Sequence, residues 1–195
     1  VSFHNRNAIK LIGGYAFARS SLKQITIPET VETIGEHAFE GTSIEQITIP
    51  EKVTDIGDYA FSSSALRYVI IPENVKSIGE GAFLYTYMTG IDLQEGLESI
   101  GAQAFASPGR AFEGVTFPIY IPSTVKTIGA DAFDRFYCYP AQISDLTAWC
   151  NIEFGNEKAN PLNHAKDLYL NNKKVTDLII PETVKEIKPY AFYGT

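Results

Sequence analysis

The chain has 195 residues, 45% of them hydrophobic, which is enough apolar surface for one sizeable core or one continuous repeat array. A net charge of −7 with scattered basic residues argues against nucleic acid or an anionic membrane surface as the partner. No stretch reaches the ~18 apolar residues of a membrane helix, no charged-then-apolar start resembles a signal peptide, and Cys138 and Cys150 are too few for a disulfide scaffold.

Internal repetition dominates the chain. The dipeptide Ala-Phe recurs at 16–17, 38–39, 60–61, 82–83, 104–105, 132–133 and 191–192, in steps of 22, 22, 22, 22, 28 and 59. Ile9, Ile12, Gly13, Ala16 and Phe17 are the second half of a first unit. Leu22, Ile25, Ile27, Pro28, Val31, Ile34, Gly35, Ala38 and Phe39 then give it complete. Ile44 to Phe61 and Leu66 to Phe83 follow closely, and Met88 to Phe105 has Gln94 in the proline slot. The step of 28 implies an insertion within 106–115. The step of 59 hides one further repeat, in which Cys138, Ala141 and Ile143 take the Leu, Ile and Ile slots and Ser144 takes the proline slot. That repeat carries its extra residues between Ser144 and Val175. The chain stops at Thr195 within a repeat and reads as a piece of a longer array.

Each slot has a physical task. Ile25 and Ile27 alternate with Gln24 and Thr26, the period of a half-buried strand. Proline has no amide hydrogen for a ladder and ends the strand. Val31 and Ile34 predict a second short extended segment turning at Gly35, where glycine permits a positive φ or a close backbone approach. Residues 36–41 are long enough for one helical turn, swinging Ala38 and Phe39 inward. A single unit cannot bury its own apolar face, so stacking must supply the core. The expected fold is one leucine-rich-repeat solenoid over 1–195, mainly parallel β with short helical turns, wound as a right-handed superhelix. Its seven phenylalanines should form a continuous spine.

The spacing Leu-x-x-Ile-x-Ile-Pro followed by Val-x-x-Ile-Gly-x-x-Ala-Phe closely resembles the BspA-like leucine-rich-repeat family. The resemblance extends to 143–150, Asn160-Pro161-Leu162 and 167–171, which look like a recurrent long repeat of bacterial members. It implies bacterial cell-surface or secreted proteins, some of them adhesins that bind host matrix proteins such as fibronectin or fibrinogen. No shared binding motif carries over residue by residue.

In such a solenoid the residues between buried strand positions line a concave sheet. Its central column reads Thr26, Thr48, Ile70, Asp92, Tyr120, Gln142 and Ile179. The column before it is Gln24, Gln46, Tyr68, Gly90, Pro118, Pro140 and Asp177, with Lys23, Glu45, Arg67, Thr89, Phe117, Tyr139 and Thr176 outside that. The first repeats are bland. From Arg67 onward the face gains aromatic residues, which makes Arg67, Tyr68, Ile70, Asp92, Phe117, Tyr120 and Tyr139 the candidate binding residues. Tyr, Ile and Thr are also simply good strand formers on a sheet surface.

The insertion at 144–174 is the second candidate. Ser144 should cap a short helix from Asp145 to about Cys150, with Leu146 and Trp149 on one side. Leu168 to Leu170 and Val175 to Ile180 should form a β-hairpin around 171–174. The excursion is either a functional site or a patch in the solenoid wall.

No catalytic pattern is present, and no cofactor is implied. Cys138, Cys150 and His164 have a spacing that matches no zinc module. Cys138 reads as filling a buried leucine slot, with a disulfide to Cys150 the alternative. His4, His37 and His164 read as solvated. The sequence therefore points to an extracellular module for protein binding and cell adhesion, with an unidentified host or matrix protein as partner. The alternative is a structural spacer that self-associates end to end.

Overall fold

The computed structural model describes residues 8–107 and 117–195, so His4 and most of the insertion expected within 106–115 lie outside the described residues. The strands in chain order are β1 (Leu11–Ile12), β2 (Thr33–Ile34), β3 (Asp55–Ile56), β4 (Tyr68–Ile71), β5 (Ser77–Ile78), β6 (Gly90–Leu93) and β7 (Ser99–Ile100). They continue as β8 (Phe117–Tyr120), β9 (Thr127–Ile128), β10 (Cys138–Ile143), β11 (Glu153–Phe154), β12 (Leu168–Leu170) and β13 (Lys173–Lys174). Two short helices, α1 (Leu146–Cys150) and α2 (Leu162–Ala165), and one 3-10 turn at Glu157–Ala159 complete the described elements.

Two parallel ladders run along a β-solenoid. The wall ladder takes the second extended segment of each repeat, in the order β1-β2-β3-β5-β7-β9-β11. The face ladder takes the first segment as β4-β6 and, separately, β12-β10-β8, with β13 added antiparallel at its end. Residues 24–27 and 46–49, expected as strands, carry the alternation but pair only through one bridge from Gln46 to Tyr68. Between the two ladders lies one core, in which Val31, Ile34, Ala38 and Phe39, and their equivalents through the repeat that ends at Phe133, are almost wholly buried. Alternation explains the split of side chains: in β4, Val69 and Ile71 are buried while Tyr68 and Ile70 face out.

Proline acts at the strand end as its chemistry requires. Pro28, Pro50, Pro72 and Pro122 each accept a hydrogen bond from the valine three residues on, at 3.0–3.2 Å, which turns the chain toward the wall. Gln94, the exception, has an amide hydrogen and gives it to Ile71 O at 3.2 Å, extending the face ladder by one bond.

The segment after the glycine is a run of turns and not the helical turn expected. Tyr15, Phe17 and Arg19 donate to Glu36, Ala38 and Glu40 of the next coil at 2.6–2.9 Å, while Ala16, Ala18 and Ser20 close i→i+3 turns within their own. An α-helix would spend every amide internally. Tyr15 (φ 59°) and Arg19 (φ 57°) are left-handed, which breaks the helix and releases alternate amides to the neighbour. His37, Tyr59, Gly81, Gln103 and Asp131 hold the same slot with φ of 53–57°. The repeat glycine itself serves close approach: a Cβ on Gly57 would meet Glu36 N at 2.7 Å.

The phenylalanine spine runs through Phe17, Phe39, Phe61, Phe83, Phe105 and Phe133, with ring centroids 5.2–5.4 Å apart and planes within 16°. It stops before Phe192. Phe133 donates to Lys158 O at 3.1 Å, where every earlier phenylalanine donates to the residue preceding the next, so Ala159 occupies the phenylalanine slot of the long repeat. The small side chain there leaves room for Asn160, fully buried, to donate to the Tyr190 and Ala191 carbonyls.

The long repeat departs from expectation in three places. Asp145, not Ser144, caps α1, accepting from the amides of Thr147 and Ala148, because the carboxylate satisfies two open helix donors at once. The hairpin is tighter than expected: β12 pairs with β13 through Asn171 and Asn172, both left-handed (φ 50° and 63°), and Val175 to Ile180 is not its second strand. Two consecutive positive φ values define the turn that matches strand twist, and asparagine tolerates them. Finally, β12 lies beside β10 in register, so Tyr169 and not Ile179 follows Gln142 across the face.

Candidate functional site

The face presents outward residues at the spacing of neighbouring strands, about 4.8 Å. Register aligns Gln46 with Tyr68 and Tyr68 with Gly90, then Ile70 with Asp92, and later Tyr120 with Gln142 and Tyr169. Tyr68, Ile70 and Tyr139 are exposed, as is Arg67 beside them in sequence. Asp92 and Tyr120 are half-buried. The sequence-derived set thus falls into two groups, one on β4 and β6 and one on β8 and β10.

Phe117 does not join either. A bulge in β10 sets Tyr139 and Pro140 against the single residue Pro118, so Phe117 aligns with Cys138 in the buried leucine slot. Its ring packs edge-on against Phe136 at 5.4 Å. Counting residues at a fixed offset could not anticipate the slip.

Both later tyrosines are held by carboxylates. The Tyr120 hydroxyl donates to Glu95 at 2.6 Å and meets Ser144 Oγ at 3.0 Å. Burial and the Glu95 carboxylate both push the Tyr120 phenol above its ordinary range. Burial alone would raise Glu95, but hydrogen bonds from Tyr120 and Ser123 outweigh it and hold the carboxyl low. The Tyr139 hydroxyl donates to Asp167 at 2.7 Å, and that bond drives its pKa up to about 12. Lys174 lies 2.7 Å from the same carboxylate and, with Tyr139, keeps Asp167 ionised below its ordinary range. These rings are therefore oriented, and a fixed aromatic side chain costs less entropy on binding than a mobile one.

Sequence reasoning missed two parts of the face. Tyr169 belongs to it, signalled by the strand-like alternation of Leu168-Tyr169-Leu170. The larger omission is an open cleft of about 640 Å³ in the repeats that looked bland, lined by Gln24, Thr26, Gln46 and Thr48 and bordered by Tyr68 and Ile70.

The remaining reactive groups are packed into the fold. Cys138 and Cys150 are buried free thiols, and burial raises both, Cys138 to about 12. His37 is not simply solvated: it stacks between Tyr15 and Tyr59 at 4.5 and 5.0 Å, with Nδ1 2.7 Å from Glu40. His164 accepts the Arg135 amide on Nε2 at 3.0 Å, and burial holds its pKa below the ordinary value. Trp149 is core, its indole N–H donating to Ala191 O at 2.8 Å. Among the described residues, no group of three or more His, Cys, Asp or Glu side chains could hold a metal ion, and no helix is long and apolar enough to cross a membrane.

A parallel solenoid with one strand ladder on the face, a second on the wall and a leucine, isoleucine and phenylalanine core defines a leucine-rich-repeat protein. The family model described as the BspA type leucine rich repeat region matches six copies over residues 10–136 and 163–195. The chain belongs to that family. Among solved structures, a leucine-rich repeat protein from Bacteroides ovatus is 24% identical with a TM-score of 0.53, over 83% of this chain and 47% of that one. A leucine-rich repeat protein from Eubacterium ventriosum is 22% identical, with a TM-score of 0.43 over 80% and 50%. The pneumococcal vaccine antigen PcpA is also 22% identical, with a TM-score of 0.32 over 84% and 60%. The chain thus spans about half the length of the first two. No curated protein matches it.

Proposed function

We propose that the chain is a recognition module of a bacterial surface or secreted protein, adhering to a host or matrix protein through the strand face. The observation that carries this reading is the exposed pair Tyr68 and Ile70 on one strand, with oriented Tyr120 and Tyr139 further along the same face. Aromatic side chains that expose apolar area without rotamer freedom are the usual anchors of protein interfaces. The repeat architecture supports it by giving a long, regular surface on a rigid core. Nothing in the sequence patterns supplies a catalytic constellation, so binding is the reading of choice over chemistry.

The test is capture of the chain by immobilised fibronectin and fibrinogen, alongside Tyr68→Ala and Tyr120→Ala. Tyr68→Ala is the cleaner variant, since Tyr120→Ala also strips a hydrogen bond from Glu95. Loss of an anchor should cost about 1–2 kcal/mol, roughly tenfold in Kd, with unchanged thermal unfolding for Tyr68→Ala. Wild-type affinity in both variants would reject the face as the binding surface. Absence of binding by the folded chain would favour the spacer role.

A further inference from the structure

We propose that the cleft in the first repeats of the face binds a neutral, linear glycan running across the coils. This rests on the face being a recognition surface, but it uses side chains other than the later tyrosines and a different class of ligand.

The lining chemistry is the first argument. Gln24, Gln46, Thr26 and Thr48 supply amide and hydroxyl groups, and Glu51 is the single charged side chain among the lining residues. None of these four polar side chains has a hydrogen-bond partner within the described residues, so their donors and acceptors are available to a ligand. Elsewhere the solenoid spends such groups between coils, as in Ser77 to Asp55 at 2.6 Å and Tyr120 to Glu95 at 2.6 Å. A surface offering uncharged donors and acceptors together suits sugar hydroxyls, which are both at once. An acidic ligand would find no basic side chain among the lining residues.

Pitch is the second argument. Successive coils repeat the same two residue types, Gln24 then Gln46 and Thr26 then Thr48, and these coils are stacked at the wall by the β2–β3 pairing, one ladder spacing of about 4.8 Å apart. A pyranose ring in a linear chain advances by a comparable length, so each coil can meet one sugar with the same amide and hydroxyl.

Tyr68 closes the row. It follows Gln46 in register, and it is 45% exposed. On its other side stands Gly90, where a Cβ would come within 2.9 Å of the Tyr68 ring. The glycine lets the ring lie down over the neighbouring strand, leaving an aromatic platform at the end of the cleft. The apolar face of a sugar stacks on such a ring, and Ile70 continues the apolar edge.

The experiment titrates the intact chain with cellohexaose, β-1,4-mannohexaose and maltohexaose, and with their disaccharide homologues, by calorimetry. Saturable binding of at least one hexasaccharide is expected, weakened about tenfold for its disaccharide, which cannot span Gln24, Gln46 and Tyr68 together, and about tenfold by Gln46→Ala or Tyr68→Ala. Raising the salt from about 0.05 to about 0.5 M should leave a neutral ligand's affinity nearly unchanged. Both substitutions are at exposed positions, and thermal unfolding confirms that each variant is folded. No saturable binding of any hexasaccharide at millimolar concentration overturns the proposal, as does binding that Gln46→Ala and Tyr68→Ala leave intact. Capture by enzymatically deglycosylated fibronectin, with every hexasaccharide failing, would overturn the glycan site while leaving the protein-binding reading in place.

Discussion

At the scale of single residues, the solenoid rests on positions where one atom more is too many. A Cβ on Gly129 would sit 2.3 Å from Ala102 N and 2.7 Å from Ala102 Cα, both backbone atoms that cannot rotate aside. Gly129→Ala should therefore destabilise the chain by about 1–3 kcal/mol through overpacking, read from the urea midpoint. An unchanged midpoint would mean that the coils have slack. His164 gives a pH-dependent counterpart. Its ring accepts the Arg135 amide and is held below the ordinary histidine range by burial, so the unfolded chain binds the proton more readily. Stability is then full above the ordinary value of about 6.5 and falls as pH drops toward the lower folded value. The stability advantage of the native chain over His164→Asn should shrink between about pH 7.5 and about pH 5. An advantage constant across that range would show that the ring does not titrate in this way. Phe39 and Gly57 were legible in the sequence because one physical demand selects one residue type. The left-handed slot was not, since Tyr15, His37, Gln103 and Asp131 share no chemistry and answer only to a backbone bond with the next coil.

At the scale of elements, β4, β6 and β8 followed from alternation, whereas the same pattern at 24–27 and 46–49 pairs only through the Gln46–Tyr68 bridge, and the long repeat was not legible. Its wall strand β11 was hidden because Phe154 replaces the usual isoleucine and Glu153 the usual threonine or serine, yet Gly155 closes the coil as glycine does in the repeats before it. The insertion therefore completes the wall and extends the face by β12, and its helix α1 packs Leu146, Trp149 and Cys150 into the core. That helix is short, and a helix of this length depends on its cap and its packing. Asp145→Ala removes the acceptor for two amides and should cost about 0.5–2 kcal/mol. Trp149 is the chain's single tryptophan and lies within α1, so its fluorescence reports the loss directly. If Ser144→Ala and not Asp145→Ala produced the effect, the cap would be assigned to the wrong residue.

At the scale of the whole molecule, the two ladders do not share the same weak point. Among the described residues the face ladder is divided between β6 and β8, while the wall ladder passes that place unbroken through β7 and β9. The phenylalanine stack also crosses it, Phe105 lying 5.4 Å from Phe133. In a repeat protein, cooperativity is the sum of such nearest-neighbour couplings, and the coils before and after the division are joined by the wall, the stack and the bonds that Glu95 accepts from Tyr120 and Ser123. The native chain should unfold in urea as one unit, with Trp149 fluorescence, which senses the later coils, coinciding with far-UV circular dichroism, which senses all of them. Phe105→Ala deletes the Phe133 and Phe136 ring contacts across the junction and should cost about 3–5 kcal/mol. Because the lost energy is coupling between halves, the two transitions should also separate, which Phe83→Ala, in a coil joined to the next by the β4–β6 pairing, should not cause. Separate transitions already present in the native chain would show that the wall and the stack are too weak to unite the array. Coincident transitions in Phe105→Ala would show that the face is continuous in energy where its ladder is not.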